Sequence, residues 1–439
     1  MALGGGKFIA QNKVLPGSYV NFVSASKATA TLSDRGVAAF PIALAWGAED
    51  KVFSVTAEEF FTDSLKIFGY PYTANEIKGI REIFLHAKEC HFYNLNSGGV
   101  AATSGICSAK YPGSLGNKIK IVVTSNEESK PESPKYDVAT YFDGLKVDEQ
   151  LGIVDASELK NNDFVTWSGS PIELTAGVAL SGGKDGTVVD GSYQKFLDAI
   201  ESYTFNTIGT DSTDETIKSL FANWTKRIRD SVGIKVQCVL YKYAKADYEG
   251  VISVENKLVN ETTESGSLVY WVVGASAGCE VNKSLTNTIY DGEFDVDVAY
   301  TQTQLEEAIK GGKFVFHKVN DKVRVLDDIN TFVSVSDDKS ADFSSNQTIR
   351  VLDQVGNDIA VLFNTKYLGK VANNTAGRTS FWNDIVKHHQ ELEKIGAIEA
   401  FMPDRVTVAQ GDSKKAVEVS DVITPVNAMT QLYMTVIVE

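Results

Sequence analysis

The sequence predicts a multidomain α/β chain. A layered α/β domain carries an inserted, small β-sandwich-like module, an α+β domain follows, and each end is an arm suited to strand exchange. Three observations lead there. Segments of strand and helix character alternate at α/β lengths over residues 36–97 and again over 179–335. Between them, residues 98–178 hold short β-prone pieces separated by polar Ser/Asn/Gly-rich turns. Both termini are apolar and β-prone, the last one to its final residues. At 439 residues the chain has room for about three domains of roughly 150 each.

The elements follow in order. Residues 1–25 do not read as a domain: Gly4-Gly5-Gly6 is a flexible start and Pro16-Gly17 a turn. Ser18, Tyr19, Val20, Asn21 and Phe22 compose a short strand with nothing local to pair with, so this stretch is an arm. Residues 37–44 read as a buried strand. Thr56 and Glu59 fit a capping box that opens a helix to about Phe68. Ile77, Ile80, Ile83, Phe84 and Ala87 fall at helical spacing over 74–89, and a strand is expected over 91–95.

Within the inserted module the β-prone pieces are 118–124, 136–142, 164–167 and 175–180, with a charged, Pro-containing loop over 125–135. The α/β pattern then resumes with a helix over 193–202, a strand over 204–208, a long helix capped in the run Asp211 to Glu215, and a strand over 234–241. Thr303 and Glu306 read as the cap of a short helix ending at Gly311-Gly312. Segments 314–319 and 322–327, joined by Asn320-Asp321, make a tight hairpin. An acidic, serine-rich loop over 334–345 marks a boundary, beyond which come 348–353 and a helix over 381–395 closed by Gly396. The organisation is therefore 26–97 with 179–335, the module 98–178, a C-terminal core domain 336–425, and arms 1–25 and 426–439.

Composition excludes several function classes. The chain is 43% hydrophobic and 23% charged, which is globular rather than disordered. Forty-two basic against 57 acidic residues give a net charge of −15 with no basic block, a poor match to nucleic acid. Cys90, Cys107, Cys238 and Cys279 lie far apart without zinc-like spacing and read as buried thiols of a cytosolic product. The N-terminus has no apolar signal region, and the longest apolar stretch, 268–279, falls short of the roughly 20 residues that span a bilayer. No membrane insertion is expected. Five histidines are too few and too scattered for a metal site, and no phosphate-binding glycine motif occurs, so neither metal nor cofactor is expected. Asp384 and His388, at i and i+4, read as a surface pair.

One motif points to an enzyme. Gly274-Ala275-Ser276-Ala277-Gly278 matches the G-x-S-x-G nucleophile elbow, follows the apolar run 268–273, and has His317, His388 and His389 downstream. A hydrolase using Ser276 is the alternative reading. Against it, no oxyanion segment precedes the motif, and small residues at this density also let backbones pack closely. With so thin an enzymatic inventory and β-pairing at both ends, the physics favours a structural protein that self-assembles by strand exchange, open and head-to-tail.

The order of several segments also resembles one family, the contractile tail sheath proteins of myophages and phage-tail-like bacteriocins, closest to those of Gram-positive hosts. The stretch from Gly4-Gly5-Gly6-Lys7-Phe8 to Pro16-Gly17-Ser18-Tyr19-Val20-Asn21-Phe22 resembles that subfamily's N-terminal signature. Lys110-Tyr111-Pro112-Gly113-Ser114-Leu115-Gly116-Asn117 resembles the start of its inserted β module, and Leu180-Ser181-Gly182-Gly183-Lys184-Asp185-Gly186 its return. Gly274 to Gly278 followed by Asn282-Lys283-Ser284-Leu285-Thr286 is similar to a sheath segment that ends a helix. Arg350-Val351-Leu352-Asp353, Tyr367-Leu368-Gly369-Lys370 with Asn373-Asn374, and Arg378 resemble the sheath C-terminal domain.

The resemblance implies a fold and a mechanism. It makes 268–273 a helix, where β-propensity alone gives a strand. It implies stacked six-fold rings around a tail tube, in a virion or phage-tail-like particle assembled in the host cytoplasm. The sheath would contract to drive the tube through the target envelope. The implied partners are neighbouring sheath subunits, the tail tube protein, and the baseplate and tail terminator proteins. The arms carried over are Ser18, Tyr19, Val20, Asn21 and Phe22 at one end and Leu432, Tyr433, Met434, Thr435, Val436, Ile437 and Val438 at the other, with the receiving sheet within 346–425. Lys387, His388 and Lys394 on the helix 381–395 are the expected tube-facing residues.

Overall fold

The computed structural model describes residues 32–259 and 264–438. The N-terminal arm residues Ser18 to Phe22 lie outside them. Two compact units divide the described residues: a larger one of 33–357, 393–400 and 423–438, and a smaller one of 358–392 and 401–422.

The larger unit opens with β1 (Val37–Ile42), β2 (Val52–Thr56), α1 (Ala57–Phe68), α2 (Lys78–Phe84) and β3 (Glu89–Asn94). The capping box forms as expected: Thr56 Oγ1 accepts from the Glu59 N–H at 3.2 Å, and Glu59 Oε2 accepts from the Thr56 N–H at 2.9 Å. Helix α2 stops short of the expected Glu89. The backbone turns at 85–88, so that Glu89 already pairs with Val37 in the sheet.

Between β3 and the next α-helix come β4 (Asn96–Ser97), β5 (Cys107–Ala109), β6 (Ile119–Ser125), β7 (Tyr136–Phe142), β8 (Leu145–Ile153), β9 (Val165–Trp167), β10 (Thr175–Ala179) and β11 (Thr187–Val188), with β5 to β9 inside the inserted module. Four of these make an antiparallel sheet ordered β10-β6-β7-β8, and β5 pairs with β9. Ile121, Val123, Val138 and Phe142 from the sheet share one core with Cys107, Phe164 and Val165. Ile119, Ile121 and Val123 of β6 and Val138, Thr140 and Phe142 of β7 are buried at alternate positions, as half-buried strands require.

The chain then returns through α3 (Ser192–Ile200), β12 (Thr207–Gly209), α4 (Glu215–Arg227), β13 (Gln237–Tyr241) and β14 (Val251–Val254). The main sheet runs β14-β13-β12-β1-β3-β2, parallel except where β2 meets β3. Ala38 and Phe40 face a core shared with residues of α1, α2 and α5 (Leu268–Gly278), while Ala39 and Ile208 face one shared with α3 and α4. Residues 268–273 are helical, as the resemblance implied and β-propensity did not. Helix α5 is apolar around its circumference and buried on nearly all sides, so burial overrides strand propensity.

Next come α6 (Gln302–Lys310), β15 (Phe316–Val319) and β16 (Lys322–Val325), the last two joined through Asn320 at φ +54°. The cap of α6 is Thr301 with Gln304, not Thr303 with Glu306; both sets match the motif, and the helix begins two residues earlier.

Helix α7 (Asn346–Leu362) contains the segment 348–353. Residues 336–357 pack with the larger unit. A buried ionic network accounts for this. Arg350, fully buried, donates to Asp328 Oδ2 at 2.5 Å, and Asn346 Nδ2 donates to Asp328 Oδ1 at 3.0 Å. Gln237 of β13 donates to Asn346 Oδ1 at 2.9 Å, and Arg229 grips Asp353 with two bonds of 2.7 and 2.8 Å. Such groups are fixed where they find partners, because an unpaired buried charge is strongly destabilising.

Candidate functional site

The smaller unit is built from the end of α7, a π-turn over Phe363–Tyr367, α8 (Thr375–Lys394), β17 (Thr407–Gln410) and β18 (Val417–Ser420). Leu362, Tyr367, Phe381, Ile385 and Val406 form its core, with Trp382, Val408 and Val417 packed against them. Trp382 donates from Nε1 to the Val406 carbonyl at 2.8 Å, which holds the entry to β17 on α8. Asn373 Nδ2 donates to the Ala416 carbonyl at 2.7 Å, which pins the other arm of the hairpin. Asp384 accepts from both Lys366 and Tyr367. Burial works against the Lys366 ammonium, but the Asp384 carboxylate outweighs it and holds that lysine above its ordinary value.

The hairpin is this unit's notable surface. Strands β17 and β18 pair with each other over Thr407↔Ser420 to Gln410↔Val417, and among the described residues no other strand pairs with either. Both outer edges are thus left without a strand, and a groove runs beside each. One is lined by Arg378, Thr379, Trp382, Val408 and Gln410; the other by Tyr367, Val371, Phe381, Lys415 and Val417. A two-stranded sheet is marginal alone, and an open edge is a template for another strand.

The chain's end has the complementary property. Residues 426–438 have no regular structure, and Leu432, Tyr433, Met434, Val436, Ile437 and Val438 are 71–88% exposed. A run of large apolar side chains in water marks a surface meant to be covered.

The remaining sequence candidates fall elsewhere. Ser276 lies inside α5, is fully buried, and its Oγ has no hydrogen-bond partner. There is no strand-turn-helix elbow and no histidine bonded to it, so the nucleophile reading fails. The glycines of that motif serve packing: a Cβ on Gly274 would meet the Ile83 carbonyl oxygen at 2.3 Å, and one on Gly278 the His86 carbonyl oxygen at 2.2 Å. All four cysteines are free and buried. Among the described residues no three His, Cys, Asp or Glu are grouped for a metal ion, and no helix is long and apolar enough to cross a membrane.

Lys387 and Lys394 are exposed on α8, with Glu391 and Glu393 interleaved. His388 is not with them. It is 1% exposed and its Nε2 bonds Asp358 Oδ2 at 2.9 Å, because that face of α8 packs inward. Asp384 and His388 are likewise buried and take different partners, so they are not a surface pair.

Comparison with known proteins decides what this arrangement belongs to. Family models describing the phage tail sheath protein β-sandwich domain, central domain and C-terminal domain match residues 97–185, 186–331 and 338–439. The phage-like element PBSX protein XkdK of Bacillus subtilis is 32% identical over 472 residues, 99% of either chain. The chain belongs to the phage tail sheath family. The sheath tail protein of Desulfitobacterium hafniense, a solved structure, is 36% identical, with 94% of this chain and 98% of that one covered at a TM-score of 0.79. The helical sheath of the anti-feeding prophage in its contracted state shares the fold at 12% identity, 96% and 99% coverage and a TM-score of 0.57. The protein is thus a phage tail sheath protein. Its inserted module is the sheath β-sandwich domain, and the hairpin with its open edges lies within the sheath C-terminal domain.

Proposed function

We propose that this sheath subunit polymerises by lending its arms to neighbouring copies, whose β17–β18 hairpins receive them as added strands. The observation that carries the reading is the hairpin with two edges lacking a strand among the described residues, in a chain whose last residues are apolar and uncovered. Main-chain hydrogen bonds supply affinity in such an addition, and alternate side chains, sitting in the flanking grooves, supply register. The arms are residues 1–25 and 426–439. Two edges and two arms match in number.

On this reading the subunits stack as six-fold rings around a tail tube, capped by terminator and baseplate proteins, in a particle assembled in the bacterial cytoplasm. Contraction is a bistable rearrangement of packed interfaces, with the exchanged strands keeping subunits linked while the globular parts slide. The work comes from interface free energy, and the subunit itself catalyses no reaction. Lys387 and Lys394 face an acidic tube. Negative-stain microscopy of the full chain beside forms lacking residues 1–24 or ending at Thr430 tests the proposal. Striated tubes from the full chain and none from either shortened form support it. Equal tube formation by all three refutes it.

A further inference from the structure

The tail of the larger unit changes character at one point. Leu432 to Val438 form the exposed apolar stretch, whereas Thr424, Asn427, Thr430 and Gln431 before it are polar. The polar part is tied down. The Val426 N–H donates to the Ala397 carbonyl at 2.9 Å, and the Glu399 N–H donates to the Thr424 carbonyl at 3.0 Å. Ala397 and Ile398 are fully buried, so the tail pairs here with a segment of the core. Asn427 then meets the first turn of α7. Its Nδ2 donates to Thr348 Oγ1 at 3.0 Å, and its Oδ1 accepts from Ser345 Oγ at 3.0 Å. Ala428 donates its N–H to Gln347 Oε1 at 2.9 Å. From Met429 onward, among the described residues, no hydrogen bond joins the tail to the rest of the chain.

The turn that holds Asn427 is itself fixed. Asn346, between Ser345 and Gln347, is buried and bonded to Asp328 and to Gln237 of β13, and Arg350 one turn on is bonded to the same Asp328. The start of α7 is therefore locked to the main sheet, and the root of the tail is locked to α7. We propose that residues 424–428 anchor the C-terminal arm and that Asn427 is its positioning residue: the arm swings from one point, Ala428, and only the apolar strand beyond it is free to reach another copy.

This role for Asn427 rests on the arm-exchange reading above, and it sets the reach of the exchange. Leu432 is four residues beyond Ala428, and an extended chain spans at most about 3.3–3.6 Å per residue. The arm's strand thus begins within about 14 Å of the anchor, and the receiving hairpin of the neighbouring copy has to lie beside that point. A short tether also keeps the strand concentrated at the receiving edge. Without the Asn427 and Ala428 bonds the tether runs back toward Thr424, which doubles it, and the effective concentration falls about threefold, by the −3/2 power of its length.

Asn427→Ala and Asn427→Asp form the test, both at an exposed position. The alanine loses both side-chain bonds. The aspartate keeps the anchor: Ser345 Oγ and Thr348 Oγ1 lie 3.0 and 3.3 Å from Asn427 Oδ1, both hydroxyls can donate to a carboxylate, and its charge suits the N-terminus of α7. Hydrogen exchange by mass spectrometry, on the full chain below its assembly concentration, reads the anchor alone. Residues 424–428 are protected and 429–438 are not, in the natural chain and in Asn427→Asp. In Asn427→Ala the 424–428 stretch exchanges about tenfold faster, while melting of the larger unit is unchanged. The critical concentration for tube formation reads the positioning: about threefold higher in Asn427→Ala, and natural in Asn427→Asp. Equally fast exchange across 424–438 in the natural chain overturns the anchor. Lost protection in Asn427→Ala with an unchanged critical concentration overturns the positioning role. A full chain that forms no tubes refutes arm exchange and the positioning role with it, whereas the hydrogen-exchange contrast still decides the anchor.

Discussion

Gly274→Ala tests the packing account of the Gly274–Gly278 motif. The new Cβ would sit 2.3 Å from the Ile83 carbonyl oxygen, where ordinary contact begins at 3.4 Å. That oxygen belongs to the backbone of α2 and cannot swing aside, so α5 and α2 must separate by about 1 Å. On the other side Gly209 of β12 already brings its backbone against Val273, where a Cβ would lie 2.4 Å from Cγ2, so α5 has no slack toward the sheet. Overpacking of a tight core costs about 1–3 kcal/mol, and here the upper end applies. Helix propensity returns about 1 kcal/mol on replacing Gly by Ala. The net loss is about 1–2 kcal/mol, a fall of about 1–3 °C in the melting of the larger unit. Ser276→Ala, two residues on, removes a buried hydroxyl with no partner and is neutral to stabilising. Thermal melts followed by circular dichroism distinguish the pair. Gly274→Ala melting at or above the natural chain would refute the close-approach argument. Loss of an esterase activity in Ser276→Ala would revive the nucleophile reading.

Three further outcomes are expected. Arg229→Met strands the Asp353 carboxylate and destabilises the larger unit by about 3–5 kcal/mol, whereas Arg229→Met with Asp353→Leu recovers most of that in chemical denaturation. Glu293 is held below the usual carboxylate range by its hydrogen bonds from Arg81, against some burial. Its contribution is thus present above about pH 4.5 and lost as acid titrates it, so Glu293→Gln is less stable than the natural chain at pH 7 and matches it in acid melts. Lys387→Glu with Lys394→Glu lowers the yield of sheath recovered on tail tubes in pull-downs, and an unchanged yield removes these residues from the tube face.

Much of this fold is legible in the sequence where pattern and environment agree. The alternation in 119–125 and 136–142, the Thr56–Glu59 box and the Asn320-Asp321 turn each leave a local signal, and each element forms where that signal lies. Strand β8 was not legible: Leu145–Ile153 is an edge strand carrying Asp148, Glu149 and Gln150, so its pairing comes from β7 rather than from its own composition. Helix α5 misleads in the opposite way, since an all-apolar helix has no amphipathic period to read. For the candidate site, the exposed apolar tail was evident from its residues. The β17–β18 hairpin was not, because its strands are only four residues each and the apolar partners of Val408 and Val417 come from α8 and the π-turn. His388 was misplaced because a histidine reads as polar, and its buried partner Asp358 lies 30 residues away.

The central claim, that one subunit's tail is a strand on another's hairpin, has a direct test in disulfide trapping. Val436→Cys is paired in one chain with Gln410→Cys on β17 or with Glu418→Cys on β18, and assembled material is oxidised. The natural thiols do not interfere: all four are buried, and burial pushes the Cys238 thiol up to about 12. Arm exchange predicts that at least one pairing gives a ladder of dimers, trimers and longer multimers on non-reducing gels, collapsing to monomer on reduction. Tubes that form normally yet yield only monomer from both pairings would contradict it.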